Sequence, residues 1–256
     1  MEESFGTLEN HIVILGWSPR VGRIVRELRN EVHGGIEIQK PILIITADDL
    51  ESLHVPYEKV YLIQGRVNDP EVMRRANLSR ASSLLIPTVL HDTSASDGET
   101  VFALLSALSV NPSLRVCVEI AQAQNGVTLD QIRRQHLAAG DIEIVSFESV
   151  AERLLAQAAI NPGITDVYDH LLSFSPTTNE IYVADIAPQW AGKTFRDLAQ
   201  AWFEHEVILI GYQNGGEPVL NPKNRDYVFS AATRVWYIAY NKFDGLKVIN
   251  PAAVPA

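Results

Sequence analysis

The stretch HIVILGWSPRVGRIVREL, residues 11–28, decides the fold. Its apolar run over residues 11–15 predicts a buried strand, residues 16–18 predict a tight turn, and the segment from Pro19 onward predicts a helix. A strand, a glycine turn and a helix in this order open a nucleotide-binding sheet. The N-terminus of that helix offers free N–H groups and a positive dipole end to an anion.

The glycine fingerprint of this unit is degraded. The pattern G-x-G-x-x-G needs small residues at its first, third and sixth positions, which are Gly16, Ser18 and Val21 here, while Gly22 comes one place late. Only the first glycine is kept. The turn is still expected, but a pyrophosphate would lie less close to the backbone than on a complete fingerprint.

Composition narrows the class of protein. The chain has 256 residues, of which 46% are hydrophobic and 20% charged, as in ordinary globular proteins of one or two domains. Its net charge of -10 argues against non-specific binding to nucleic acid. No apolar run approaches the ~18 residues of a membrane helix, and the N-terminus lacks a basic-then-apolar signal, so we expect a soluble, intracellular chain.

Short apolar runs alternate with helical patterns up to residue 146. The predicted strands are residues 11–15, 41–46, 59–65, 82–87, 114–120 and 142–147. Beyond the first helix, the predicted helices are residues 70–76, 101–110 and 127–138. Continuous apolar strands are buried on both faces, which predicts an α/β fold with a Rossmann-like, doubly wound parallel sheet.

The rest of the chain has a different pattern. Two amphipathic helices are expected on either side of Asn161-Pro162-Gly163, and their apolar faces need cover from a partner subunit or, alternatively, from their own domain. Strands with turn residues follow and predict a small α+β unit. We therefore predict a Rossmann-like subdomain at residues 1–146, crossover and dimerisation helices at 147–176, and a C-terminal subdomain at 177–256.

Several segments together carry a family resemblance. They are HIVILGWS (residues 11–18), GRVNDPEVMRRANLSRASSLLI (65–86), SDGETVFALLSAL (96–108), the helix pair around Pro162, AGKTFRDLA (191–199) and VILIGYQNGGEPVLNP (207–222). In order and spacing the chain resembles an RCK protein, a regulator of potassium conductance, with the N- and C-terminal subdomains also seen in Trk and Ktr potassium-uptake regulators. Trp17, directly after the glycine, is similar to the channel-borne branch.

The resemblance implies a function and an assembly. It implies a cytosolic ligand-sensing gating ring, in which ligand binding shifts the conformation of the ring and controls potassium flux through a membrane pore. The first implied partner is a second copy of the chain, because dimers would build a ring, for which eight subunits is one size. The second is a potassium pore, on the same chain or on a separate one. The implied location is the cytoplasm, at the cytosolic face of the membrane.

An adenine nucleotide such as NAD is one candidate ligand. In open α/β sheets a ligand lies outside the carboxyl ends of the strands. The candidate nucleotide-binding residues at those ends are Gly16, Trp17, Ser18, Asp48, Gly65, Arg66 and Thr88. Asp48 is placed to accept from ribose hydroxyls, although the acidic pair Asp48-Asp49 is equally suited to capping a helix. Arg66 stands where many nucleotide-binding relatives have an aspartate, and it either binds a phosphate or remains a solvated surface residue.

Calcium is the other candidate ligand, and the resemblance implies where its ligands would lie. Glu119, at the end of the fifth strand, matches the first acidic position of the calcium-gated branch, whereas Ala121 occupies the second. The loop after the fourth strand supplies further tentative ligands, namely Asp92, Asp97 and Glu99. The alternative is that Asp97 and Glu99 only favour the first turn of their helix.

Two other functions use the same fold. A free-standing Trk/Ktr-like uptake regulator that binds an adenine nucleotide is the first alternative. A NAD-dependent oxidoreductase is the second, but the seven histidines are scattered and form no pattern of a base with an orienting group. We therefore expect no catalytic residues and no enzyme activity.

Overall fold

The computed structural model describes residues 5–29, 40–48, 57–88, 94–135, 142–173 and 178–240. These residues divide into two compact units, with the boundary between Pro162 and Gly163. The boundary falls at the predicted break between the two crossover helices. The division into three segments at 146 and 176 remains a prediction.

The first unit is built on a six-stranded parallel sheet with the strand order β3-β2-β1-β4-β5-β6. Its strands are β1 (Ile12–Leu15), β2 (Ile42–Thr46), β3 (Val60–Gln64), β4 (Ser83–Ile86), β5 (Arg115–Ile120) and β6 (Ile142–Ser146). This is the strand order of a dinucleotide-binding fold. From β1 the chain first adds β2 and β3 on one side and then returns to add β4, β5 and β6 on the other, so the order reverses between β1 and β4. The predicted Rossmann-like sheet is confirmed.

Burial on both faces explains why the central strands are almost wholly apolar. All five residues of β2 are buried. Val13 and Leu15 of β1 pack into the core on one face, while Ile14 packs on the other face with Val21 and Val25 of the first helix. Alternate side chains of one strand thus enter different cores, so neither face tolerates polar residues.

Four helices alternate with the strands of this sheet: α1 (Pro19–Leu28), α2 (Pro70–Arg75), α3 (Ser94–Val110) and α4 (Gly126–Gln135). Both α1 and α2 begin with a proline after a capping side chain, Ser18 and Asp69 respectively. Helix α3 begins seven residues before the predicted start at residue 101, because its polar first turns read as loop in the sequence. Asp97 and Glu99 therefore lie in a helix and not in a loop.

Two further helices come next, α5 (Phe147–Ile160) in the first unit and α6 (Ile164–Leu172) in the second. Neither has a buried residue. Their exposed large apolar side chains are Phe147, Val150, Leu155 and Ile160 on α5, and Val167, Tyr168 and Leu172 on α6. Within the described residues, Leu154 and Ala158 of α5 and Leu171 of α6 are half-buried, so the chain itself covers these apolar faces only in part.

The second unit contains an antiparallel sheet of order β7-β10-β8-β9 and one packed helix. Its elements are β7 (Glu180–Asp185), α7 (Phe195–Phe203), β8 (Ile208–Gln213), β9 (Val219–Leu220) and β10 (Arg234–Ala239). The ring of Trp202 on α7 meets Tyr237 of β10 edge-on at 5.3 Å between centroids, in the centre of the core. The predicted α+β subdomain is confirmed, with the two-residue strand β9 added.

Candidate functional site

The turn after β1 has the conformation that its glycine predicts. Gly16 has φ of 86°, which L-residues other than glycine adopt rarely, and its N–H donates to the Ile45 carbonyl oxygen of β2 at 2.7 Å. The chain therefore leaves β1 and enters α1 within three residues, as in nucleotide-binding units.

The two residues after Gly16 have structural contacts. Trp17 is half-buried against the cluster that contains Ile14 and Val21, and its ring lies over Gly22, 3.5 Å from where a Cβ would stand. The Ser18 hydroxyl accepts from the Val21 N–H at 3.3 Å and caps α1. Their roles toward a nucleotide remain predictions.

Asp48 lies at the carboxyl end of β2 in an exposed position. The buried Thr46 hydroxyl donates to Asp48 Oδ2 at 3.0 Å and accepts from the Asp48 N–H at 3.1 Å. This pair of bonds fixes the carboxylate near the strand end while leaving oxygen lone pairs open to solvent. Asp49, the other member of the acidic pair, lies outside the described residues.

Gly65 follows β3 and lies directly beneath α2. Its N–H donates to the Thr46 carbonyl oxygen at 2.8 Å, and a Cβ there would lie 2.6 Å from Val72 Cγ2. The glycine is thus required by packing. Arg66, the next residue, is exposed and places a positive charge at this edge.

An ion pair joins three strand ends in the middle of the edge. Arg20 Nη1 donates to Glu119 Oε1 at 2.7 Å and to Oε2 at 2.8 Å, and the Thr88 N–H donates to Oε2 at 3.0 Å. Arg20 is the second residue of α1, Thr88 follows β4, and Glu119 is in β5. The structure therefore brings together two predicted residues of different sets, Thr88 and Glu119.

The sequence analysis did not identify Arg20 as part of this site. A signal was present, because a cation in the first turn of a helix is unfavourable next to the positive dipole end unless an anion offsets it. Glu119 supplies that anion, 99 residues away in the chain. No short motif marks such a distant pairing.

The tentative calcium ligands have varied surroundings. Asp97 is buried, and its carboxylate accepts from the N–H groups of Ala121 at 2.8 Å and Gln122 at 3.1 Å and from Asn125 Nδ2 at 2.6 Å. Glu99 is exposed on α3, and Asp92 lies outside the described residues. Within the part of the chain that is described, no three His, Cys, Asp or Glu side chains are grouped to hold a metal ion. The calcium site therefore remains a prediction that depends on Glu119.

His11 has a structural environment. Its Nε2–H donates to the Ala76 carbonyl oxygen at 2.9 Å, and burial lowers the pKa of the ring, an effect that this bond partly offsets. The neutral ring ties the start of β1 to the end of α2. It has the contacts of a core histidine and not those of a general base.

Among the described helices, none is both long and apolar enough to cross a bilayer.

The chain matches two family models in succession. Residues 7–118 match the slowpoke-like RCK domain of calcium-activated potassium channels, and residues 148–249 match the Castor and Pollux family, described as part of a voltage-gated ion channel.

Individual relatives agree with these matches. The calcium-gated potassium channel TvoK of Thermoplasma volcanium is 23% identical over 92% of this chain and 64% of its own length. The ion channel CASTOR of Lotus japonicus is 27% identical over 90% of this chain and 27% of its own length. The chain thus spans less than two thirds of the curated relatives it matches.

A solved structure gives the fold. The human SLO3 gating ring superposes with a TM-score of 0.69 and 20% identity, over 90% of this chain and 44% of that one. The predicted resemblance is therefore confirmed: residues 7–118 match the RCK domain model, and the chain has the fold of that gating ring.

Proposed function

We propose that this chain is a ligand-sensing regulatory domain that controls potassium flux through a membrane pore. The observation that carries the proposal is the match of both its parts to domains of ion channels, residues 7–118 and residues 148–249. In this role the chain lies at the cytosolic face of the membrane and acts by binding, without catalysis.

The exposed helices support an oligomer. Leu155 on α5 is 72% exposed and Leu172 on α6 is 70% exposed. Each belongs to a row of half-buried or exposed apolar side chains, which are Val150, Leu154, Leu155 and Ala158 on α5 and Val167, Leu171 and Leu172 on α6. Leaving such rows in water is unfavourable by about 25 cal/mol for each Å² of apolar surface, so a second copy that covers them stabilises both. We propose that these rows pair the subunits of a ring.

The assembly is tested by measuring the molar mass of the full chain with light scattering during size-exclusion chromatography. Leu155→Lys places a charge in the apolar row and is expected to shift the chain toward monomer. Ala156→Lys, at an exposed position on the side of α5 opposite Val150 and Leu155, is the matched control and keeps the assembly of the wild type. Equal masses for the wild type and both variants would exclude α5 as the interface.

The edge of the sheet supports ligand sensing, because charged side chains of both signs meet at the ends of β1, β4 and β5. Calcium, magnesium, NAD, ATP and ADP are the probes for a thermal-shift screen, since a ligand that binds the folded state raises its midpoint. Potassium flux into vesicles that hold the complete channel, measured with and without the active probe, then tests gating. A flux that is indifferent to every binding probe would contradict the proposed function.

A further inference from the structure

The Arg20–Glu119 ion pair occupies the point where the strand order reverses. Glu119 is 7% exposed, and its carboxylate accepts two bonds from Arg20 and one from the Thr88 N–H. In open α/β sheets this point is where ligands lie. Here the chain's own opposite charges are joined across it.

Each side chain neutralises the charge that a ligand would use. An anion near the first turn of α1 would need the Arg20 guanidinium but would be repelled by Glu119. A divalent cation would need the Glu119 carboxylate but would be repelled by Arg20. While the pair is closed, the nearly buried Glu119 carboxylate is neutralised by Arg20, and Nη1 of Arg20 is occupied by both bonds.

We propose that the Arg20–Glu119 pair is an autoinhibitory contact that a charged ligand must break, and that it sets whether this edge accepts a cation or an anion. The inference rests on the proposed function, since it assumes that this edge senses a ligand. It assigns to Arg20 a role in ligand choice.

Opposite effects of the two substitutions follow from the contact. Arg20→Gln leaves a carboxylate without its cation, which favours a divalent cation and disfavours an anion. Glu119→Gln leaves a guanidinium without its anion and reverses both preferences. The glutamine carbonyl oxygen still accepts from the Thr88 N–H, so the tie to the end of β4 is kept.

Isothermal titration of the full chain with calcium chloride and, separately, with ADP tests the inference. We expect Arg20→Gln to bind calcium at least about tenfold more tightly than the wild type and ADP at least about tenfold more weakly, as loss of one charged hydrogen bond implies. Glu119→Gln is expected to do the reverse. Arg23→Gln, an exposed arginine one turn further along α1, is the matched control and should match the wild type for both probes.

Two further variants keep the test decisive. Arg20→Met retains the apolar stem and serves if Arg20→Gln does not fold. Arg20→Lys restores the cation and should restore the selectivity of the wild type. A purely structural pair would weaken the binding of both probes in both variants.

The outcomes separate the two proposals. If the wild type binds a probe and neither substitution tightens the binding of calcium or ADP, the autoinhibitory contact is overturned while the regulatory function stands. If the wild type and every variant bind neither probe, both the autoinhibitory contact and ligand sensing at this edge are overturned.

Discussion

Gly65 and Val72 meet so closely that a methyl group on Gly65 would lie 2.6 Å from Val72 Cγ2 and 2.7 Å from Cγ1. The end of β3 and the helix α2 can therefore pack only with a glycine at this position. Gly65 also lies next to the exposed Arg66 at the candidate ligand edge. The packing of the first unit and the geometry of its edge thus depend on the same residue.

Gly65→Ala is expected to lower the free energy of unfolding by about 1–3 kcal/mol, because the added methyl overpacks a buried contact. Urea denaturation followed by circular dichroism measures the change. The double variant Gly65→Ala/Val72→Ala lacks the clashing methyls. Gly65→Ala should therefore cost less stability in the Val72→Ala background than in the wild type.

A matched control is available on α3. Gly98 has nothing within 4 Å of its would-be Cβ, so Gly98→Ala should stabilise the chain by about 0.5–1 kcal/mol through helix propensity. Equal destabilisation by both glycine substitutions would contradict the packing argument.

Asp97→Asn is expected to destabilise the first unit by about 1–3 kcal/mol, because an amide NH₂ would face donors that now bond to a buried carboxylate. Glu99→Gln, at an exposed position two residues away, should change stability by less than about 0.5 kcal/mol. Denaturation midpoints of the two variants provide the comparison. If Asp97 serves calcium and not the fold, Asp97→Asn would instead leave the metal-free chain as stable as the wild type.

His11 predicts a dependence of stability on pH. In the unfolded chain its pKa is about 6.5, and burial lowers the pKa in the folded chain. Between these two values the unfolded state binds more protons, so stability rises with pH and falls as the solution is acidified below about pH 6.5. The slope from this one group is at most about 1.4 kcal/mol per pH unit.

Thermal midpoints at pH 7, 6 and 5 measure that slope. His11→Gln keeps a donor for the Ala76 carbonyl oxygen and should have a shallower slope than the wild type. His170→Gln, exposed on α6, should keep the slope of the wild type. A slope unaffected by His11→Gln would mean that other groups govern the response to acid.

Asp48→Ala is expected to abolish any thermal shift caused by NAD, ATP or ADP, since we predict that this carboxylate, at the end of β2, accepts from the ribose hydroxyls. The buried Thr46 loses a partner in this variant, so each shift is measured against the variant's own ligand-free midpoint. Glu27→Gln on the exposed side of α1 is the control and should retain the shift. A retained shift in Asp48→Ala would place the nucleotide elsewhere.

The sequence predicted the architecture because the signals for it are local. The run Ile42–Thr46 can only be a buried strand, and Ser18 and Asp69 before prolines mark helix starts. Strand β9 was missed because a strand of two residues is too short to show an alternation of apolar and polar side chains. The start of α3 was missed because the polar residues of its first turns read as loop.

The candidate site was predicted less completely for a different physical reason. The rule for strand ends selected Thr88 and Glu119, which the structure joins by a hydrogen bond, and the glycine turn was expected. That a ligand binds at this edge remains a prediction. Arg20 was overlooked because its partner is 99 residues away, and pairing over such a distance leaves no periodic or spacing signal. The contacts of Asp97 were hidden for the same reason.

The three bonds to Glu119 also have a consequence for the order of folding. They join segments 31 and 99 residues apart, so closing them costs chain entropy that local contacts do not. The ion pair can form only after β4 and β5 have docked beside β1. It is therefore expected to form late, to contribute little to the folding rate and to slow unfolding of the first unit.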